Sequence, residues 1–219
     1  MATSTNSQPE SGTLVQQIVL ASQSPRRLEL LRSLRLDVRV MPSTYAEPNH
    51  PHLLPRDLAI VHARHKCAGV RDTLLHSEGD RHIIVAADTV VDVEGEAYNK
   101  PTDAADAKRM LHDLSGRTHI VHTAFALAIP KRIELLEHCE STFVTFFPLT
   151  DDEIEAYVAT GEPMDKAGAY GIQGYGATLV ERVEGDFYTV MGFPLARFVR
   201  TLHRLGFALP ITNVGGTPN

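Results

Sequence analysis

An α/β fold around a mixed sheet is the expectation for this chain of 219 residues, on three grounds. Short β-branched runs alternate with segments of helical period. The two longest strand-like runs, 118–129 and 133–147, meet across Pro130-Lys131 and should pair antiparallel, which a purely parallel sheet cannot accommodate. Pro and Gly are spread evenly instead of gathering into a linker, so the elements belong to one continuous domain.

The first apolar run, 18–21, has strand length, and Ser24-Pro25 directly after it supplies an N-cap with Pro at the first helical position. Leu28, Leu31 and Leu34 then share one helical face, and Val38-Arg39-Val40 reads as a second strand. A helix over about 56–75 follows from Leu58, Val61, His65 and Ala68, with Gly69 as a potential break. The run 82–87 is a buried strand, Asp88 interrupts it, and 89–93 resumes β-like composition. Thr102 caps a helix to Leu114, ended by Gly116. Thr150 and Glu153 form a capping box for a helix to about Thr160. Strands at 177–183 and 187–191 and a last amphipathic helix over 194–205 complete the expectation.

The 43% hydrophobic and 22% charged fractions are those of a packed protein. A net charge of −6 provides no global positive field, which argues against a nucleic-acid polymer or an anionic membrane as partner. No apolar stretch approaches the roughly 18 residues of a spanning helix. Residues 1–17 contain no Lys or Arg, unlike a secretory or transit signal, so a flexible tail and a cytoplasmic protein are expected. Cys67 and Cys139 form no metal or disulfide pattern and read as buried thiols.

Three segments could carry chemistry. Ser22-Gln23-Ser24-Pro25-Arg26-Arg27 gathers hydroxyls, guanidiniums and a helix N-terminus, all of which suit phosphate oxygens, although a capped helix with solvated arginines fits the same string. Asp88-Thr89 places a carboxylate at the end of an apolar strand. It could cap a turn, or hold a metal or activate water, with Glu47 as a second oxygen donor for a cation such as Mg²⁺. The glycine-rich run 161–174 reads as a loop whose backbone approaches something closely, and its Gln173 could pair with a nucleobase edge or merely face water. Lys66 and Lys100, taken singly, read as solvated cations. No GxSxG elbow supports a serine hydrolase.

In order along the chain, Leu-Ala-Ser-Gln-Ser-Pro-Arg-Arg (20–27), Ala-Ala-Asp-Thr-Val-Val (86–91), Lys100-Pro101, Leu-Ser-Gly-Arg-Thr-His (114–119), Gly-Glu-Pro (161–163) with Asp-Lys-Ala-Gly-Ala-Tyr-Gly-Ile-Gln-Gly (165–174), and Gly-Phe-Pro-Leu (192–195) resemble the Maf family of nucleoside triphosphate pyrophosphatases. The resemblance spans 18–208 and leaves tails at 1–17 and 209–219. It implies a fold like that of the inosine triphosphatase group, elongated and two-lobed around a central mixed sheet with a cleft. The activity implied is hydrolysis of a nucleoside triphosphate between the α and β phosphates, with a divalent cation, Mg²⁺ or Mn²⁺, and often in a homodimer.

Residue by residue, the resemblance implies Asp88 as proton acceptor, Glu47 and Asp88 as metal ligands, and Ser22, Ser24, Arg26, Arg27, Lys66 and Lys100 as phosphate contacts. Arg26, Thr89 and Gln173 match the three positions that mark the dTTP/UTP branch, with a house-cleaning role on modified pyrimidine nucleotides in view. The surroundings of Glu47 and Lys66, and Asn99 before Lys100, depart from the usual pattern. Two alternatives stand beside this reading: the 7-methylguanosine triphosphate branch, and a nucleotide-binding regulator with vestigial catalysis.

Overall fold

A computed structural model describes residues 13–15, 17–48 and 50–210. The elements in order are β1 (Thr13–Leu14), β2 (Gln17–Leu20), α1 (Pro25–Ser33), β3 (Asp37–Val40), α2 (Pro55–Glu78), β4 (Ile84–Val93), β5 (Glu96–Tyr98), α3 (Ala104–Leu114), β6 (Thr118–Ala128), β7 (Leu136–Phe146) and α4 (Asp151–Ala159). Three 3-10 turns follow (Glu162–Asp165, Ala167–Ala169, Gly174–Leu179), then β8 (Val180–Glu184), α5 (Phe187–Met191), α6 (Leu195–Arg204) and β9 (Phe207–Ala208).

Seven strands form one sheet in the order β3-β2-β4-β6-β7-β8, with β5 on β4, while β1 and β9 pair separately. β2 runs parallel to β3 and β4, whereas β4-β6, β6-β7 and β7-β8 are antiparallel, so the sheet is mixed as expected. Alternation along β4 sends Val85 and Ala87 into a core with Leu31, Phe125, Phe193 and Phe198, under α1 and α6. Ile84, Ala86 and Val90 face the other way, onto Leu58, Ala63 and Val70 of α2. A third core, around Leu111, Phe146, Ile154 and Tyr157, joins α3 and α4 to the far halves of β6 and β7. The first two cores make one lobe and the third makes another.

The space between the lobes has a topological cause. β2 pairs with β4 only as far as Leu20↔Val85, and β5 takes the same edge of β4 only from Val91↔Tyr98. Among the described residues, 86–90 therefore have a strand neighbour only on the β6 side. Asp88 and Thr89 lie within this gap.

Several expectations are corrected. Asp88 does not break its strand: β4 is continuous, with Asp88 opposite Ala124. Residues 187–191 form a helix instead of a strand, because the Asp186 carboxylate accepts from the Thr189 N–H and hydroxyl, each at 2.8 Å, as an N-cap. The strand expected at 177–183 begins only at Val180, after a 3-10 turn. α2 passes through Gly69 unbroken, and α3 is capped by Asp103 rather than Thr102. Thr13–Leu14 pairs with Phe207–Ala208, and Val15 is buried, so the end of the segment read as a tail is built into the fold. Residues 1–12 and 211–219 lie outside the described residues. Both cysteines are free and buried, and no helix among the described residues is long and apolar enough to cross a membrane.

Candidate active site

All ten residues predicted to form the site line a single cleft of about 960 Å³ between the lobes. Six segments bring them together: the β2-α1 loop with the first turn of α1, the loop after β3 that carries Glu47, α2 with Lys66, the stretch of β4 that lacks a second described strand neighbour, the loop after β5 with Lys100, and the turns that follow α4.

Asp88 is 6% exposed and Lys66 8%. The period of two along β4 points Asp88 to the same side as Ala86 and Val90, beneath α2, where Lys66 stands one turn from Ala63 and Val70. The Lys66 Nζ donates to Asp88 Oδ1 at 2.6 Å and contacts Glu47 Oε1 at 2.7 Å. One ammonium thus bridges the two carboxylates that the sequence set aside for a metal, and Lys66 is not the solvated cation it resembles in isolation. Glu47 reaches this point from a backbone with φ of +52°, a left-handed conformation uncommon outside glycine. Such strain is found where surrounding structure holds a residue to a task.

The two carboxyls have opposite electrostatics. Burial raises the Asp88 carboxyl above the ordinary aspartate value, against the pull of Lys66 and Arg27. For the half-exposed Glu47, burial also pushes upward, but the hydrogen bond and charge of Lys66, together with His62 and Lys100, hold it below the ordinary value. A group with a raised pKa that still faces a cleft suits proton acceptance. No cluster of three or more His, Cys, Asp or Glu side chains able to hold a metal occurs among the described residues. Two carboxylate oxygens on one ammonium are nevertheless a donor set that fits Mg²⁺ or Mn²⁺, provided substrate phosphates and water complete the shell.

Also lining the cleft, Ser24 caps α1, accepting from the Arg27 N–H at 3.4 Å. The Ser22 hydroxyl oxygen accepts from the Ser24 N–H at 3.2 Å and from Arg27 Nη1 at 3.3 Å. Arg27 also donates through Nε to the Gly192 carbonyl at 2.8 Å and through Nη2 to Thr89 Oγ1 at 3.1 Å. It is a strut joining α1, β4 and the start of the Gly-Phe-Pro-Leu segment, with its charge inside the cleft wall. Gly192 has φ of +106°, and a Cβ there would lie 3.4 Å from Thr89 Oγ1, so the motif glycine lets this strut close. Thr89 in turn meets Thr123 Oγ1 at 2.9 Å, and Thr123 donates to the Thr189 carbonyl at 2.7 Å.

Arg26 points across the cleft to Asp165 at 3.3 Å, and Asp165 also takes Lys166 Nζ at 2.6 Å. Lys100 and Gln173 are exposed on the cleft rim, and neither side chain makes a hydrogen bond with a described residue. Sequence reasoning assigned no role to Asp165, Lys166, Glu162 or His62, all of which line the cleft. The crowding of charges within 161–174 was the available signal for the first three. His62 is buried, with Nδ1 3.2 Å from the Tyr45 hydroxyl, and carried no signal distinguishing it from ten other histidines.

Residues 17–205 match the family model described as Maf-like protein. The chain belongs to the Maf family. It is 48% identical over 189 residues to a Geobacter sulfurreducens protein named dTTP/UTP pyrophosphatase, covering 86% of this chain and 96% of that one. Relatives with the same name from Moorella thermoacetica (47% identity; 86% and 95% coverage) and Bacillus velezensis (42%; 86% and 96%) match equally broadly. Among solved structures, the Staphylococcus aureus Ham1 protein superposes with a TM-score of 0.44 at 15% identity, covering 75% of this chain and 79% of that one, a likeness too remote to bear on function.

Proposed function

We propose that this Maf protein is a dTTP/UTP pyrophosphatase that cleaves between the α and β phosphates, releasing the nucleoside monophosphate and pyrophosphate. The observation that carries the reading is the convergence, in one cleft of a Maf chain, of a buried carboxylate with raised pKa and a group of hydroxyls, guanidiniums and a capped helix N-terminus. That combination suits attack of water on a polyanion.

Asp88 accepts the proton of the attacking water and orients its lone pair toward the α phosphorus. As the α–β bond breaks, negative charge grows on the departing pyrophosphate, and Arg26, Lys66, Lys100, the Ser22 and Ser24 hydroxyls and the α1 N-terminus offset it. Arg27 acts on the same charge from within the wall. Glu47 and Asp88 would hold a divalent cation, whose charge further neutralises the triphosphate when bound. Displacing the Lys66 ammonium from between the carboxylates would free it for a phosphate oxygen.

Within the same cleft, the Gln173 amide can donate to O4 and accept from N3–H of uracil or thymine. Cytosine presents the reverse pattern, so with the amide held in this orientation and the bound base excluding water, the unmatched donor or acceptor costs about 1–3 kcal/mol. Purified protein is assayed for pyrophosphate release from dTTP, UTP, CTP and 7-methylguanosine triphosphate with Mg²⁺. The reading expects dTTP and UTP to lead by roughly tenfold or more; preference for the methylated purine, or no release from any of them, would overturn it.

A further inference from the structure

We propose that Glu162 is a positioning residue for nucleobase selection, clamping the turn that presents Gln173 to the cleft. The inference rests on the reading of Gln173 as the side chain that meets the base.

Glu162 opens the first 3-10 turn after α4 and is only partly exposed. Its Oε1 accepts from the Tyr157 hydroxyl at 3.0 Å and from the Gly176 N–H at 3.1 Å, while Oε2 accepts from the Tyr175 N–H at 3.0 Å. The buried Tyr157 hydroxyl in turn accepts from the Gly171 N–H at 3.2 Å. One carboxylate therefore fixes the backbone at 175 and 176 directly and at 171 through Tyr157. Between these anchors lie only Ile172, Gln173 and Gly174.

The turn is seated tightly on the carboxylate. Gly174 has φ of +67°, and a Cβ there would lie 2.8 Å from Glu162 Oε2. A Cβ on Gly176 would lie 2.3 Å from the Gly171 carbonyl oxygen, so the two arms of the turn touch as well. Only a side chain that accepts and never donates satisfies three donors here, and its charge strengthens each bond. Gln173, exposed with its amide unbonded among the described residues, has no hold of its own. Its placement relative to a base is inherited from the clamp. A group that fixes where a selective amide sits sets the difference between matched and mismatched bases, whereas a merely structural prop would lower turnover of both alike.

The test compares kcat/KM for UTP and CTP in the wild type and in Glu162→Gln, Tyr157→Phe and Gln173→Ala, with melting temperatures alongside. Glu162→Gln keeps the shape but turns an NH₂ toward main-chain N–H groups, and the preference for UTP over CTP is expected to fall about tenfold or more. Tyr157→Phe, which loses the hydroxyl's bonds to Glu162 and Gly171 but leaves those from 175 and 176 to the carboxylate, is expected to erode the preference less and in the same direction. Should Glu162→Gln fail to fold, Tyr157→Phe decides by the same ratio. If Gln173→Ala relaxes the preference while the clamp variants leave it unchanged, the clamp is overturned and the reading of Gln173 survives. If the wild type shows no preference, or Gln173→Ala retains it, both fall.

Discussion

Lys66 is the residue whose position most changes the reading of the site. Its ammonium lies 2.6 and 2.7 Å from two carboxylates, with about a tenth of its own side chain exposed. Breaking a buried pair from one side leaves an uncompensated charge, which costs more than the pair contributes. Lys66→Gln is therefore expected to lose about 3 kcal/mol of unfolding stability at pH 7 without divalent cation, and to recover much of it when Mg²⁺ is added, since a metal can take the ammonium's place between the carboxylates. Equal denaturant midpoints for variant and wild type, or a deficit indifferent to Mg²⁺, would contradict that arrangement. The sequence pointed to Glu47, Lys66 and Asp88 but not to their mutual contact. Positions 47, 66 and 88 meet only because β4 and α2 pack in one particular register, which no local pattern records. The Arg27 strut is equally long-range: its partners Gly192 and Thr89 are set by the fold, while the Ser-Pro-Arg-Arg string announced a capped helix and a candidate phosphate site but no strut.

At the scale of elements, periodicity and caps were readable wherever they were local. The capping box at Thr150 and Glu153 is present, with both reciprocal bonds formed. The long hairpin appears as β6 and β7, although residues 133–135 stay outside the ladder. The failure at 187–191 is instructive. Phe-Tyr-Thr-Val-Met is β-like in composition, yet Asp186 caps it into a short helix that tertiary packing keeps. That helix has a task, because the Thr189 carbonyl receives Thr123, which in turn meets Thr89 in the cleft wall. Asp186→Ala should cost about 1–2 kcal/mol of stability and, by loosening this chain of contacts, raise KM for UTP. An unchanged melting temperature would show that the cap does not hold α5. The interruption expected at Asp88 failed for a related reason: the poor strand-forming tendency of aspartate is overridden when its carboxylate has a buried cation and its backbone a ladder partner.

For the molecule as a whole, one buried histidine links stability to pH. His119, 3% exposed in the second lobe, shares a 2.7 Å hydrogen bond between Nε2 and the Tyr170 hydroxyl, and its Nδ1 is buried without a hydrogen-bond partner among the described residues. Burial lowers its pKa from 6.5 to about 4. Above pH 6.5 the ring is neutral in both folded and unfolded chains and contributes nothing to the pH dependence. Below it the unfolded chain takes up a proton that the folded chain refuses, so stability declines as pH falls toward 4, by about 3 kcal/mol in all. A His119→Phe variant should lose that part of the acid dependence between pH 6.5 and 4; retention of the full slope would place its origin elsewhere. The Leu-Ser-Gly-Arg-Thr-His motif contains this residue, yet nothing in the string tells a buried structural histidine from a cleft residue. What the sequence did make legible at this scale was the mixed sheet; the common location of the ten predicted residues followed from the family resemblance and not from local pattern, since Asp88 and Thr89 lie inside β4, Lys66 inside α2 and Arg26 and Arg27 inside α1.

The account turns on Asp88 accepting a proton from water that attacks the α phosphorus. The most direct measurement is product analysis of UTP turnover with Mg²⁺ in ¹⁸O-labelled water, for the wild type and for Asp88→Asn. The predicted result is UMP and pyrophosphate in equal amounts, label in UMP only, and turnover lowered by about 10²- to 10⁴-fold in the variant while its fold persists. UDP with orthophosphate, label in pyrophosphate, or an Asp88→Asn variant as active as the wild type would contradict it.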